Sequence, residues 1–467
     1  MEQTKKTGLR HKLFGDKAFY VMVLGIAVPI MIQNGITNFV NLLDNIMIGR
    51  VGTEQMSGVA IVNQLLMVYS LCIFGGVSGA GIFTAQYFGQ NNEEGVRYTV
   101  RFKLWMVFLI TMGTIALFLT SGQNLIGMYL QGEGGAESIA AAMDYGKQYL
   151  SVMLIGLPPF MISQVYSSTL RESGQTVVPM RAGIAAVVVN LVFNYILIYG
   201  KFGAPAMGVR GAAWATVISR FVEVAIIVYW THSHATENPY VVGLYHSMRI
   251  PLPLVWKMLV TGMPLLVNET LWSSGMAMLA QCYSYRGFVV VAALNIANTI
   301  GNLFNIVFIA MGESVAIIVG QLLGAGKFEE ARDTDTKMIV FSVLLCIGVA
   351  VMMILSAPLF PRLYNTTEEA RSLARLLIIA TAVFVPQNAL LNTLYFTLRS
   401  GGKTWIAFLF DGVFLWCVNV MVAFCLSRFT AMPIMGIFIA VQFSDTIKTI
   451  FGLVLVKKGA WIHNIVS

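Results

Sequence analysis

The sequence predicts an all-α polytopic membrane protein with twelve transmembrane helices in two pseudo-symmetric six-helix lobes. Three observations support this prediction. The 467 residues are 57% apolar and only 11% charged, whereas soluble domains carry roughly 25% charged residues. Apolar runs long enough to cross a bilayer, which takes about 20 residues, recur from end to end. The second half of the chain also repeats the first half, which divides the helices into two sets of six.

The helices follow from the positions of the apolar runs. The opening segment, Met1 to Lys17, is polar and basic, and the apolar run after it is too long for a cleavable signal peptide. Several runs exceed a simple span, so we expect those helices to be tilted. The predicted helices cover residues 19–48, 57–88, 98–122, 142–169, 178–200, 208–230, 254–283, 288–323, 334–358, 371–398, 404–428 and 433–456.

The distribution of charge predicts the topology. With both termini in the cytoplasm, most Lys and Arg residues fall on the cytoplasmic side, as the positive-inside rule requires. We therefore expect a multi-pass protein of the plasma membrane, the inner membrane of a bacterium. The net charge of +8 is spread over short loops rather than one basic face, which argues against nucleic acid as a partner.

Several classes of chemistry find no support in the sequence. The five cysteines all lie in predicted spans and lack the spacing of a metal site. There is no Gly-x-x-x-x-Gly-Lys-Ser/Thr segment, the phosphate-binding motif of nucleotide-driven pumps. We expect neither an enzyme nor a bound cofactor, and no metal beyond a possible Na+ at Asp44.

An internal repeat is visible at prolines, glycines and polar residues. The apolar composition of the chain does not explain matches at such residues. A shift of 235 residues pairs prolines, glycines and polar residues without a gap, and a shift of 228 residues pairs Thr169-Leu170-Arg171 with Thr397-Leu398-Arg399. Because each copy has an even number of helices, both copies have the same orientation in the membrane. The pairs at the first shift are Pro29 with Pro264, Gly52 with Gly287, Asn63 with Asn298, Gln86 with Gln321, Gly89 with Gly324, Glu94 with Glu329 and Arg97 with Arg332.

The repeat defines the predicted domains and also shows where the copies differ. Residues 1–230 form an N-terminal six-helix lobe, 231–253 a cytoplasmic linker and 254–467 a C-terminal six-helix lobe. The membrane acids do not repeat, because Asp44 corresponds to Leu279 and Glu269 corresponds to Asn34. The two lobes are therefore expected to differ in chemistry.

Asp44 is the first candidate functional residue, since it lies deep in the first apolar run. A carboxylate inside a membrane is costly and is usually paired or functional. The alternative is an interfacial residue near Arg50 that extends toward water at the end of the helix. Other membrane acids include Glu313 and Asp411, whose roles the sequence leaves open.

Polar residues of the fifth and sixth helices are the next candidates. Asn190 and Asn194 are four residues apart and share one helix face. Their amides can supply carbonyl oxygens to Na+ or hydrogen bonds to a carboxyl group, or they can simply join two helices. Thr216 places a hydroxyl at membrane depth, where it can act as a ligand or bond to its own preceding turn.

These features resemble the multidrug and toxic compound extrusion (MATE) family along nearly the full chain. No single motif is specific, but their combination is. The segments that carry the resemblance are Asp44 before Gly49-Arg50-Val51-Gly52, Gln86-Tyr87-Phe88-Gly89, Gln321-Leu322-Leu323-Gly324, Leu170-Arg171-Glu172-Ser173-Gly174-Gln175-Thr176, Asn190 with Asn194, and Gly208 to Thr216.

The resemblance implies a V-shaped arrangement of the lobes and export of amphipathic, often cationic, compounds in exchange for Na+ or H+. It also implies a cation or protonation site formed by Asp44, Asn190, Asn194 and Thr216. Some members carry an acid at the positions of Asn194 and Asn388, which are both amides here. Glu269 matches an acid of the seventh helix, so Glu269, Asn34 and Asn388 mark a possible substrate or second ion site; the alternative for Glu269 is an ordered, hydrogen-bonded structural residue near the end of its span.

The sequence leaves two further hypotheses to be tested. A lipid-linked saccharide flippase of a related fold is the alternative function, and a channel is disfavoured because no filter-like loop is repeated. For the antiporter hypothesis we expect small amphipathic substrates, the lipid bilayer as surroundings and a monomer. Asp44 with two amides and a hydroxyl suits Na+, and a buried carboxylate can equally take a proton. We predict competition of the two ions, with H+ favoured because the site carries a low charge.

Overall fold

The computed structural model describes residues 13–130 and 136–466, and this part of the chain contains twelve long helices and no β-strand. The all-α prediction is thereby confirmed, and each predicted helix overlaps one observed helix. The helices are α1 Lys17–Gly49, α2 Thr53–Gly89, α3 Glu93–Tyr129, α4 Ala136–Met153 continued by Leu157–Glu172, α5 Val177–Tyr199, α6 Val209–Ser233, α7 Leu252–Ser284, α8 Phe288–Gly324, α9 Phe328–Ser356, α10 Glu368–Ser400, α11 Thr404–Phe429 and α12 Ile434–Lys457.

Eleven of these helices are long and apolar enough, within the described residues, to cross a membrane. The twelfth is α7, which is 33 residues long but carries Lys257, Asn268 and Glu269 among its apolar residues. Its length matches that of α1, its partner in the repeat. The twelve-helix prediction therefore agrees with the structure in number, although some helices are longer than predicted, as in α3, which covers Glu93–Tyr129 rather than 98–122.

The sequence repeat is reproduced by the helix ends. Shifting α1 by 235 residues gives the bounds of α7, and the same shift converts α2 into α8. Pro29 lies inside α1 and Pro264 lies at the corresponding place inside α7. Each proline lacks an amide donor, so both helices lose a backbone hydrogen bond at the same depth.

The chain divides into two compact units, which we name by position. The N-terminal unit comprises Ile32–Thr84 and Glu93–Met258. The C-terminal unit comprises the described parts of Met1–Met31 and Leu259–Ser467, together with Ala85–Asn92. Helices α1 and α2 thus contribute residues to both units. The lobe boundaries drawn from the repeat remain a prediction.

Two helices depart from regular α geometry near polar residues. In α4, a 3-10 turn over Leu154–Gly156 precedes two prolines, and the Gly156 carbonyl accepts a hydrogen bond from Arg220 at 3.2 Å. In α11, wider π-type turns cover Leu409–Val413 and Leu415–Val420. Such turns often occur at functional sites, and the first of them contains Asp411.

The polar linker after α6 is bound to the N-terminal unit through its backbone. Arg101 donates to the carbonyls of Leu244 at 2.9 Å and Gly243 at 2.8 Å. Arg97 donates to the Tyr240 carbonyl at 3.2 Å. Because charged donors make strong hydrogen bonds, this linker is an ordered part of its unit.

Candidate functional site

Asp44 lies in the last two turns of α1 and is half-buried in the N-terminal unit. The adjacent helix is α5, and the Tyr199 hydroxyl at its end donates to the Met47 carbonyl at 3.1 Å. This bond holds the ends of α1 and α5 together one turn beyond Asp44. The carboxylate is therefore presented to the polar face of α5.

A hydrogen-bonded chain connects all four predicted site residues. Asn194 Nδ2 donates to Asp44 Oδ1 at 2.6 Å and also to Asn190 Oδ1 at 3.0 Å. Asn190 Nδ2 then donates to Thr216 Oγ1 at 3.3 Å, and Thr216 donates to the Ala212 carbonyl at 3.1 Å. The four residues come from three helices, so the structure brings together what the sequence separates by up to 172 positions.

The Asn194 amide is satisfied at only one end. Its nitrogen makes two hydrogen bonds, whereas Asn194 Oδ1 is buried without a partner among the described residues. The side chain as a whole is 1% exposed, so water does not satisfy the oxygen freely. A buried, unsatisfied carbonyl oxygen costs about 1–3 kcal/mol, and such a cost is commonly tolerated where a ligand or proton is bound.

The arrangement fits a small monovalent cation or a proton. Hard cations are bound by oxygen atoms, and the site offers the Asp44 carboxylate, the Asn194 Oδ1 atom and the Thr216 hydroxyl. The alternative interpretation of Thr216, a hydroxyl that only bonds to its own preceding turn, agrees with the structure only in part. Thr216 does bond to its own preceding turn, but it also accepts from Asn190.

Two residues that the sequence did not mark as candidate site residues extend the polar region. The buried Tyr149 hydroxyl on α4 donates to Asn63 Oδ1 on α2 at 3.2 Å. Tyr149 also lies within electrostatic reach of Asp44 and beside Thr216. Tyrosines and asparagines are common in this chain, so no pattern in the sequence distinguishes these two from residues that only pack.

The second predicted site consists of three residues, each of which the structure describes within its own unit. Asn34 belongs to the N-terminal unit, whereas Glu269 and Asn388 belong to the C-terminal unit. Both Glu269 on α7 and Asn388 on α10 are half-buried. Glu269 lies within electrostatic reach of Arg399 and Asp411, which makes it part of a charged region. Its assignment to substrate or ion binding remains a prediction.

That charged region is centred on Asp411. Lys448 Nζ is 2.6 Å from Asp411 Oδ1, and Asn268 Nδ2 donates to Asp411 Oδ2 at 3.1 Å. The local spacing suggests instead that Lys448 pairs with Asp445, but Asp445 accepts a hydrogen bond from Asn419 at 3.0 Å. The ion pair of Lys448 therefore joins α12 to α11 rather than two residues of α12.

The fold defines a class of protein, a multi-pass α-helical membrane protein. The particular family follows from comparison with known sequences. This chain belongs to the MatE family, whose model matches residues 29–196 and 264–425. The two matched segments begin at Pro29 and Pro264, the same residues at which the internal repeat aligns. The resemblance noted in the sequence is thereby confirmed.

Similar proteins include curated bacterial relatives of nearly equal length. A Probable multidrug resistance protein NorM from Thermotoga maritima is 26% identical over 450 residues, covering 94% of this chain and 92% of the relative. Another NorM, from Bradyrhizobium diazoefficiens, is 26% identical over 432 residues, covering 90% and 89%. Multidrug resistance protein PmpM from Pseudomonas aeruginosa is 24% identical over 412 residues, covering 86% and 83%.

Solved structures share the fold. A crystal structure of MATE in complex with MaD3S matches with a TM-score of 0.84 and 19% identity, covering 97% of this chain and 98% of the other. A multidrug resistance MATE family transporter in an outward-facing conformation matches with a TM-score of 0.83 and 20% identity, covering 96% and 98%. At these identities the likeness establishes the fold.

Proposed function

We propose that this protein is a cation-coupled antiporter that exports amphipathic, often cationic, compounds from the cell by alternating access. The predicted lobes, residues 1–230 and 254–467, would be the moving bodies. The protein would act as a monomer in the plasma membrane with both termini in the cytoplasm. The observation that carries this proposal is the Asn194 amide, which donates to Asp44 and leaves its own oxygen unpartnered.

This geometry supports two states of the same site. With Asp44 ionised, the Asn194 nitrogen faces the carboxylate, as in this structure. When Asp44 takes a proton, its hydroxyl becomes a donor and requires an acceptor. Rotation of the amide about its last side-chain bond would supply Asn194 Oδ1 as that acceptor. A Na+ ion beside Asp44 would require the same rotation, because a cation also binds the oxygen.

Competition between the ions follows from this shared requirement. The site holds one carboxylate, and one neutralising cation is enough to remove its charge. We expect H+ to be the favoured partner, since Asn194 adds no second charge to retain Na+. One charge that crosses 100 mV is worth about 2.3 kcal/mol, so either ion can drive useful accumulation of a substrate.

The substrate class rests on the relatives and on the charge of the site. Relatives of similar length are named as multidrug resistance proteins. A carboxylate that alternates between a neutral and an ionised state can couple to a cationic substrate, because the coupling ion and the positively charged substrate repel each other and are bound in turn. We therefore propose lipophilic organic cations as the transported class.

Proteoliposomes that contain the purified protein provide the test. Transport of a fluorescent cationic dye is measured under a pure pH gradient and then under a pure Na+ gradient. Asp44→Asn should abolish gradient-driven transport while the protein stays folded and in the membrane. The matched control is Asp144→Asn, which changes an exposed carboxylate on α4 of the same unit and should leave transport unchanged.

The outcomes separate the hypotheses. Normal transport by well-folded Asp44→Asn would overturn the assignment of Asp44. Transport driven only by Na+ and insensitive to pH would overturn the preference for H+. If neither gradient drives the dye, the antiporter proposal fails, and lipid scrambling or a large passive ion flux would then indicate a flippase or a channel.

A further inference from the structure

The ends of α2 and α8 cross at two glycines related by the repeat. A β-carbon at Gly89 would lie 1.9 Å from the Gln321 carbonyl oxygen, and one at Gly324 would lie 1.9 Å from the Gln86 carbonyl oxygen. Each helix thus presents its glycine to the backbone of the other. Residues Ala85–Asn92 group with the C-terminal unit for this reason, although most of α2 does not. We call this contact the α2–α8 crossing.

The C-terminal segment of the chain is bound at this crossing. Gln86, whose side chain is fully buried, accepts a hydrogen bond from the Ile465 amide at 2.9 Å through Oε1. Its Nε2 donates to the carbonyls of Ser400 at 3.0 Å and His463 at 3.3 Å. Asn464 Nδ2 donates to the Gly324 carbonyl at 3.2 Å. The segment therefore bonds to both helices of the crossing.

The same segment is held in place by its own packing. After α12, Gly459 adopts a φ of 71°, a conformation that lets the chain reverse and that other residues seldom adopt. Trp461 is 1% exposed, and its indole donates to the Val456 carbonyl at 3.1 Å. Gly401 lies against the Trp461 backbone, where a β-carbon would meet the carbonyl oxygen at 1.7 Å. Residues 459–466 are thus a docked element.

We infer that residues 459–466 act as a latch that holds the α2–α8 crossing closed and is released when the crossing opens. This inference rests on the proposed function, because alternating access requires the predicted cytoplasmic side to open. The segment bonds to Gln86 on α2 and to Gly324 on α8. Separation of the two helices must therefore break at least one of these bonds, so that docking and closure favour each other.

Hydrogen–deuterium exchange of the full-length protein in lipid nanodiscs provides the test. The first variant is Asn464→Ala, which removes the bond to Gly324 and the bond that Asn464 Oδ1 accepts from the Val466 amide at 2.9 Å. The second is Gln86→Met, which removes the amide that binds the segment. His463→Ala is the matched control, because this exposed residue contacts Gln86 only through its backbone carbonyl. Each hydrogen bond lost between the segment and the crossing should accelerate exchange in residues 85–92 and 320–326 about fivefold, with no change in the control.

A second measurement distinguishes a latch from a segment that only stabilises the fold. In proteoliposomes with dye and an ion gradient, exchange at residues 459–466 of the unmodified protein should be faster than in resting vesicles. Equal exchange at the crossing in both variants and the unmodified protein would overturn the latch. Equal exchange at residues 459–466 with and without turnover would also overturn it.

Failure of the latch and failure of the proposed function give different results. If the unmodified protein transports dye but exchange at the crossing does not respond to Asn464→Ala, the latch is wrong and the antiporter stands. If dye is not transported under either gradient, the antiporter is wrong. Accelerated exchange in Asn464→Ala would then still support closure of the crossing by the C-terminal segment.

Discussion

Substitution of Gly324 by alanine should destabilise the protein, whereas the same substitution at Gly348 should not. At Gly324 the added β-carbon would lie 1.9 Å from the Gln86 carbonyl oxygen, more than 1 Å inside the 3.0 Å limit for such contacts. The opposing atom is backbone, so the helices themselves must separate. Overpacking of this kind costs typically about 1–3 kcal/mol. At Gly348 nothing lies within 4 Å of the new methyl group, and alanine in a helix should gain up to about 1 kcal/mol.

Thermal unfolding of the purified variants measures this difference. A thiol-reactive dye is a suitable reporter once the exposed Cys417 and Cys425 are replaced by serine, because Cys282 and Cys346 are both 0% exposed in the folded protein and become reactive on unfolding. We expect the Tm of Gly324→Ala to fall by a few degrees and that of Gly348→Ala to stay level or rise. Gly89→Ala should behave like Gly324→Ala, because its contact with Gln321 has the same length. Equal stability of Gly324→Ala and Gly348→Ala would refute the close crossing.

Three further predictions concern other parts of the fold. Lys448→Met should cost roughly 3 kcal/mol because it removes the ion-pair partner of the largely buried Asp411 carboxyl group. In thermal unfolding the double variant Lys448→Met/Asp411→Asn should recover most of that loss; no recovery would show that Lys448 acts by packing alone. Thr367→Ala should lower stability by about 1 kcal/mol, since Thr367 accepts from the Ala370 amide at the start of α10 at 3.3 Å, and an unchanged Tm would contradict this capping role. Glu269→Gln should change the dye profile or apparent affinity more than it changes expression, and a loss of thermal stability alone would make the residue structural.

Much of the fold is determined by local features of the sequence. The apolar runs must form helices, because a bilayer offers no water to satisfy an exposed backbone. The repeat also predicts equivalent helices, and α2 and α8 indeed have equal lengths and end at paired glycines. The individual residues of the candidate site were marked as candidates for a similar reason, whereas their grouping into one site was implied by the resemblance to the MATE family. Asp44, Asn190, Asn194 and Thr216 are polar residues in an apolar background, where few polar groups occur without a partner.

The partners of these polar residues were decided only by the tertiary structure. Lys448 is three residues from Asp445 along its own helix, yet its ion pair is with Asp411 on α11. A long side chain can reach several acids, and which one it meets depends on how α11 and α12 pack. Tertiary packing likewise decided the hydrogen bond between Tyr149 and Asn63. Their residue types and spacing do not distinguish them from residues that only pack.

The C-terminal segment shows most clearly which features the sequence determines and which depend on tertiary contacts. The sequence around Trp461 is short and has no helical or strand periodicity, so it predicts neither structure nor contacts. Its order comes from groups that are distant in the chain, among them Gln86, which is 379 residues from Ile465. The sequence by itself determined that Gln86 and Gly89 correspond to Gln321 and Gly324 in the internal repeat. Only the tertiary structure decided that these paired residues meet, because the backbone of one helix approaches the other this closely where a glycine, which has no β-carbon, lies opposite it.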